Sequence, residues 1–115
     1  MSTALIVNAP PYGSEIPYNA LRLAGALAVR DEVVEVFLLG DGVHVARRGQ
    51  DPRGAHASLQ EMLEELLRTG AAVTVCGTCC QSRGLGEDEL IEGIVVGTIH
   101  DLANLVLRSD RVLGL

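Results

Sequence analysis

Five short aliphatic runs constrain this chain more than any other feature: residues 4–7, 33–39, 72–76, 94–96 and 111–115. None alternates cleanly between apolar and polar side chains. Runs of this length and character predict strands buried on both faces rather than strands with one wet face. Between them the pattern changes period. Ala20, Leu21, Ala24, Leu27 and Ala28 recur at helical spacing. So do Leu59, Met62, Leu63, Leu66 and Leu67, with Glu61, Glu64, Glu65 and Arg68 on the opposite side. Gly70 follows as the expected C-terminal glycine of that helix. Residues 99–107 read as a third helix, apolar almost all round, which predicts cover on more than one side. Strands alternating with helices predict an α/β fold with a parallel sheet and right-handed crossovers.

Residues 8–13 and 49–56 read as loops, and residues 43–47 and 87–91 as short helical pieces. No repeat or linker divides the chain, and 115 residues suit one domain spanning 1–115. Only 3% of the residues are aromatic and none is Trp, so the core must be built from Val, Leu, Ile and Ala. The net charge of −6, without a basic stripe, argues against nucleic acid as a partner. No apolar run reaches membrane-spanning length: the richest, 90–107, carries Glu92, His100, Asp101 and Asn104. The first residues lack a basic segment and a cleavage site, so a cytoplasmic protein is expected. In that reducing compartment three cysteines suggest chemistry rather than a disulfide framework.

In an open parallel sheet, ligands bind beyond the carboxyl ends of the strands. That rule selects residues 8–13, 40–42, 77–84 and 97–98, each with a glycine. Glycine is common in such loops for turning alone. The third loop stands apart because it holds all three cysteines, as Cys76-Gly77-Thr78-Cys79-Cys80-Gln81-Ser82-Arg83-Gly84. A helical turn after Cys76 would present free N–H groups, and Arg83 would add positive charge; both favour a thiolate. Competing readings are an inert core cysteine, half of a zinc site, and a redox pair. His44, His56 and His100 supply no second ligand pair by spacing, so no metal is expected. His44 is a candidate acid, base or ligand near the sheet edge, or a partly exposed histidine. Asp41 is either a ligand contact or the cap of a short helix. Asn8 and Tyr12 either line the same cleft or serve the turn, and His56 in its polar loop is given no role. Cys80, one position beyond Cys79, is expected to point into the packing beneath the loop.

These residues together resemble the DsrE/DsrF-like family, which includes sulfur-relay subunits and YchN-type proteins. The resemblance covers nearly the whole chain. It runs through Pro11-Tyr12-Gly13, then Phe37-Leu38-Leu39-Gly40-Asp41-Gly42-Val43, and Val75-Cys76-Gly77-Thr78-Cys79. It continues through Arg83-Gly84 and Leu90-Ile91-Glu92-Gly93 to Asp110-Arg111-Val112-Leu113. It implies a three-layer α/β/α fold on a five-stranded, mainly parallel sheet, and a homo-oligomer, often a trimer or hexamer. In sulfur-relay members a cysteine after the third strand carries a persulfide, and Cys76 matches that position. The added Cys79 and Cys80 depart from those members.

The expected function is therefore a sulfur carrier or sulfurtransferase. Cys76 would hold the sulfur, Cys79 would be a second thiol and Arg83 would steady the anion. Asn8, Tyr12, Gly13, Asp41, His44, Gly77, Thr78 and Cys80 are the candidate lining residues. No cofactor is expected, and the partners would be sulfur donors and acceptors, whether proteins or small thiols. The alternatives are a non-catalytic oligomeric small-ligand-binding protein, or a thiol redox sensor using Cys76 and Cys79.

Overall fold

A computed structural model describes residues 1–54 and 58–115. The chain runs β1 (Ser2–Val7), α1 (Ile16–Ala28), β2 (Val33–Leu38), a 3-10 segment (Gly40–Ala46) and α2 (Leu59–Arg68). It continues with β3 (Ala72–Cys76), α3 (Gly77–Ser82), a 3-10 turn (Glu87–Glu89), β4 (Val95–Gly97), α4 (Ile99–Arg108) and β5 (Arg111–Gly114). His56, in the polar loop, lies outside the described residues.

The five strands form one sheet in the order β4-β3-β2-β1-β5, and every pairing is parallel. Steps from β1 to β4 all move one way across the sheet, and the step to β5 returns past the start. Right-handed crossovers therefore put α1 and α2 on one face and α4 alone on the other. The result is a three-layer α/β/α domain. Its core is aliphatic, as the composition requires. Leu5, Val7, Val36, Leu38, Val73 and Val75 are buried in the central strands, and Leu59, Leu63 and Leu66 of α2 close over them. Phe37, the one phenylalanine, is 1% exposed.

Local chemistry sets the helix ends. Ser58 caps α2 by accepting from Glu61 N–H at 3.3 Å. Thr98 and Asp101 form a reciprocal capping box at the start of α4. Gly70 sits at φ +93 just beyond α2, donating to Leu67 C=O.

Several boundaries differ from those read in the sequence. β1 begins at Ser2 rather than residue 4, because pairing with β2 and β5 recruits Ser2 and Thr3 despite their polar side chains. β4 is Val95–Gly97, one residue later than 94–96. The helical piece at 43–47 starts earlier, at Gly40, and the one at 87–91 ends at Glu89. There Leu90 turns extended to bridge Arg47, and Ile91 N–H bonds Ala46 C=O. The rest of the chain covers only one side of α4. Leu102 and Leu105 are buried, whereas Ile99 is 59% and Leu107 84% exposed.

Candidate functional site

The carboxyl edge of the sheet is where three loops meet. β1 ends at Val7, whose carbonyl accepts from Leu39 N–H at 2.9 Å and so draws the next loop inward. The 3-10 segment then crosses directly over the end of β1. A Cβ on Gly42 would stand 2.2 Å from Val7 O, so only glycine permits this approach. Gly40 adopts φ +57 beneath the Asn8 side chain, where a Cβ would meet Oδ1 at 2.3 Å.

Beside this segment β3 delivers Cys76, which is itself the N-cap of α3. Its Sγ accepts from Cys79 N–H at 3.3 Å. Cys79 Sγ in turn accepts from Gly40 N–H at 3.3 Å, across the gap to the neighbouring loop. Two backbone N–H groups thus hold two sulfurs in series. Cys76 and Cys80 are buried, 6% and 5% exposed, while Cys79 is only partly covered. Cys80 packs in the apolar core.

Burial pushes the Cys76 thiol up from its ordinary value, and the adjacent Cys79 side chain pushes the same way. N–H groups of Cys79 and Thr78 pull it down without winning. Arg83 is not among the groups that shift this thiol. The Arg83 guanidinium is taken up elsewhere. Nε donates to Asp41 Oδ1 at 2.9 Å and Nη1 donates to Cys79 C=O at 3.1 Å. Its charge lowers the Cys80 thiol, where burial outweighs it. Asp41, read as a possible cap, is instead in the first turn of the 3-10 segment and serves as the partner of Arg83.

A raised pKa leaves Cys76 mostly protonated at neutral pH. Its alkylation by iodoacetamide is expected to be slow at pH 7 and to climb about tenfold per pH unit through neutrality. The climb should continue past 9.0, the ordinary thiol value. Peptide mapping after timed alkylation measures this, and a plateau below that pH would contradict the burial argument. Linkage has the same sign. The fold's preference for the neutral thiol holds below the unfolded thiol pKa and is lost as pH rises through the folded one.

The other candidates are scattered around this centre. Thr78 is exposed at the start of α3, and Gly77 lies against β4, where a Cβ would meet Val96 at 3.1 Å and Gly97 O at 3.3 Å. Asn8 lies over Gly40, whose N–H reaches Cys79 Sγ. Tyr12 is drawn away. Its hydroxyl accepts from Leu59 N–H at 3.0 Å and donates to Gln50, tying the first loop to α2. Gly13 is exposed in a tight turn onto Pro11 C=O, and His44 is half-buried between Val43 and Val45. Among the described residues no group of three or more His, Cys, Asp or Glu is placed to hold a metal ion. No helix among them is long and apolar enough to cross a membrane. Sequence reasoning missed Gly40 as a donor to sulfur. The only signal was a glycine after a strand, which turning alone accounts for.

The sequence profile of the DsrE/DsrF-like family matches residues 1–115. The chain is 43% identical to an uncharacterized protein of Methanocaldococcus jannaschii over 97% of both chains. It is 40% identical to Protein YchN of Escherichia coli, covering 95% of this chain and 94% of that one. The crystal structure of the Escherichia coli YchN protein superimposes with a TM-score of 0.92 over the full length of both chains. A protein of unknown function from Methanobacterium thermoautotrophicum, 17% identical, shares the fold at a TM-score of 0.78 over 99% of this chain and 98% of that one. The chain belongs to the DsrE/DsrF-like family.

Proposed function

We propose that this DsrE/DsrF-like protein is a sulfur carrier that holds a sulfane sulfur as a persulfide on Cys76 and passes it to an acceptor thiol. The observation that supports this most is the placement of Cys76. It ends a central strand at the ligand-binding edge of a parallel sheet, with the Cys79 N–H directed at its sulfur at 3.3 Å. A persulfide ionises more readily than the parent thiol, so a group that stays neutral as a thiol becomes a stabilised anion once loaded. Burial then slows the loss of the reactive sulfur to bulk solvent. In delivery, an acceptor thiolate attacks the outer sulfur. The Cys76 sulfur leaves as thiolate, and the acceptor becomes the persulfide.

Reduced protein incubated with a low-mass persulfide and freed of excess donor should gain the mass of one sulfur atom, and peptide mapping should find it on Cys76. An added acceptor thiol should remove it. Sulfur found on Cys80, or no gain at all, would defeat the proposal. A Cys76–Cys79 disulfide formed without retained sulfur would favour the redox-sensor reading instead.

The same reading makes the protein a homo-oligomer of three or six copies. Val33, Val95 and Val112 share the α4 face of the sheet by strand register, and they remain 60%, 56% and 38% exposed. With Ile99, Val106 and Leu107 of α4 they leave a broad apolar surface for a second copy to cover.

A further inference from the structure

The buried Cys76 and the partly exposed Cys79 are held by a continuous line of donors. Gly40 N–H reaches Cys79 Sγ, and Cys79 N–H reaches Cys76 Sγ, each at 3.3 Å. In a thioredoxin-type C-x-x-C pair the first cysteine is the exposed nucleophile; here the order of exposure is reversed. Cys79 is also tied to the neighbouring loop. Its carbonyl accepts from Arg83 Nη1 and from Ser82 Oγ, and Arg83 is pinned through Nε to Asp41 of the opposite loop.

We propose that sulfur enters at Cys79 and is handed inward to Cys76, with the Gly40 N–H steadying the Cys79 sulfur in both steps. This rests on the carrier reading above. In the first step the Cys79 thiolate attacks the outer sulfur of a persulfide donor. The donor's S–S bond breaks and its thiolate leaves, while Cys79 gains the sulfur and its proton. In the second step the Cys76 sulfur, having lost its proton to solvent, attacks the outer sulfur of Cys79–S–SH. A new S–S bond forms on Cys76, the bond to Cys79 breaks, and Cys79 leaves as thiolate. It is then positioned to accept the Gly40 N–H again. No electrons are gained or lost overall. The arrangement separates access from storage: the more exposed sulfur meets the donor and the buried one keeps the product. A Cys76 thiol pushed up by burial is a poor first nucleophile, which fits the second place in this order.

Single-turnover loading with glutathione persulfide, quenched by alkylation and mapped by peptide mass, tests the order. Sulfur should reach Cys79 first and Cys76 later. Cys76→Ser should accumulate the sulfur on Cys79 and retain it there. Cys79→Ser should load Cys76 at least about tenfold more slowly, since the donor must then reach the buried residue directly. Wild-type loading of Cys76 in Cys79→Ser, or sulfur on Cys76 before Cys79, would overturn the relay while leaving Cys76 as carrier. Absence of sulfur from every cysteine of the wild-type protein would overturn both.

Discussion

Replacing Gly42 by alanine is expected to lower the unfolding free energy by about 3 kcal/mol, from a total of roughly 6–17 kcal/mol for a chain of this length. The added Cβ would stand 2.2 Å from Val7 O and 3.0 Å from Val7 C, both main-chain atoms of a central strand. Neither can swing aside as a flexible side chain would. Either the 3-10 segment lifts off the sheet or β1 shifts within it, and β1 is hydrogen-bonded on both sides. A lifted segment carries Gly40 away from Cys79 Sγ and Asp41 away from Arg83. The variant should therefore unfold at a lower urea concentration and also load sulfur more slowly than its residual folded fraction accounts for. A urea midpoint within error of wild type would mean that the clash relaxes without cost. By contrast, Gly40→Ala meets only the Asn8 side-chain amide, which can rotate, so the main expense there is the left-handed backbone at φ +57.

Replacing Leu107 by glutamate is expected to dissociate the assembly while leaving the subunit folded. Leu107 is 84% exposed in the subunit, so the change itself should alter folding stability by no more than about 0.5 kcal/mol. In an assembly that covers α4, the same carboxylate would be buried against apolar neighbours without a partner. An uncompensated buried charge costs about 3–5 kcal/mol, more than a hundredfold in the dissociation constant. Light scattering at micromolar concentration should show a trimer or hexamer for the wild type and a monomer for Leu107→Glu, with unchanged far-UV circular dichroism. A wild-type monomer would remove the oligomer proposal. An assembled variant would move the interface away from α4.

The secondary structure was legible because its signals are local. A run such as Ala72–Cys76 can be read without its neighbours, since its β-branched and aliphatic residues favour a strand by themselves. The amphipathic spacing of α2, with Gly70 after it, marks the helix and its C-terminal end by chemistry confined to a few residues. Cys76 was legible as a strand-end residue for the same reason, and the family resemblance followed from contiguous motifs. Where boundaries slipped, a partner strand decided. Ser2 and Thr3 have no strand-like pattern of their own, yet Ser2 pairs with Val33, Thr3 pairs on both sides, and Asp110 holds Ser2 N–H at 2.8 Å from the far end of the chain.

What the sequence by itself determined was the order of elements, the aliphatic core, the parallel sheet and the candidacy of the cysteine loop. The tertiary structure alone decided which sulfur is buried and which is reachable. Spacing along the chain puts Cys79 three residues after Cys76, but the burial of each depends on β4 and on the 3-10 segment that packs around α3. It also decided where Arg83 spends its charge, because Asp41 lies 42 residues away in sequence and 2.9 Å away in space. Thiol chemistry depends on solvent access and on the nearest donors and charges. Those are properties of packing between loops, and no local pattern in the chain encodes them.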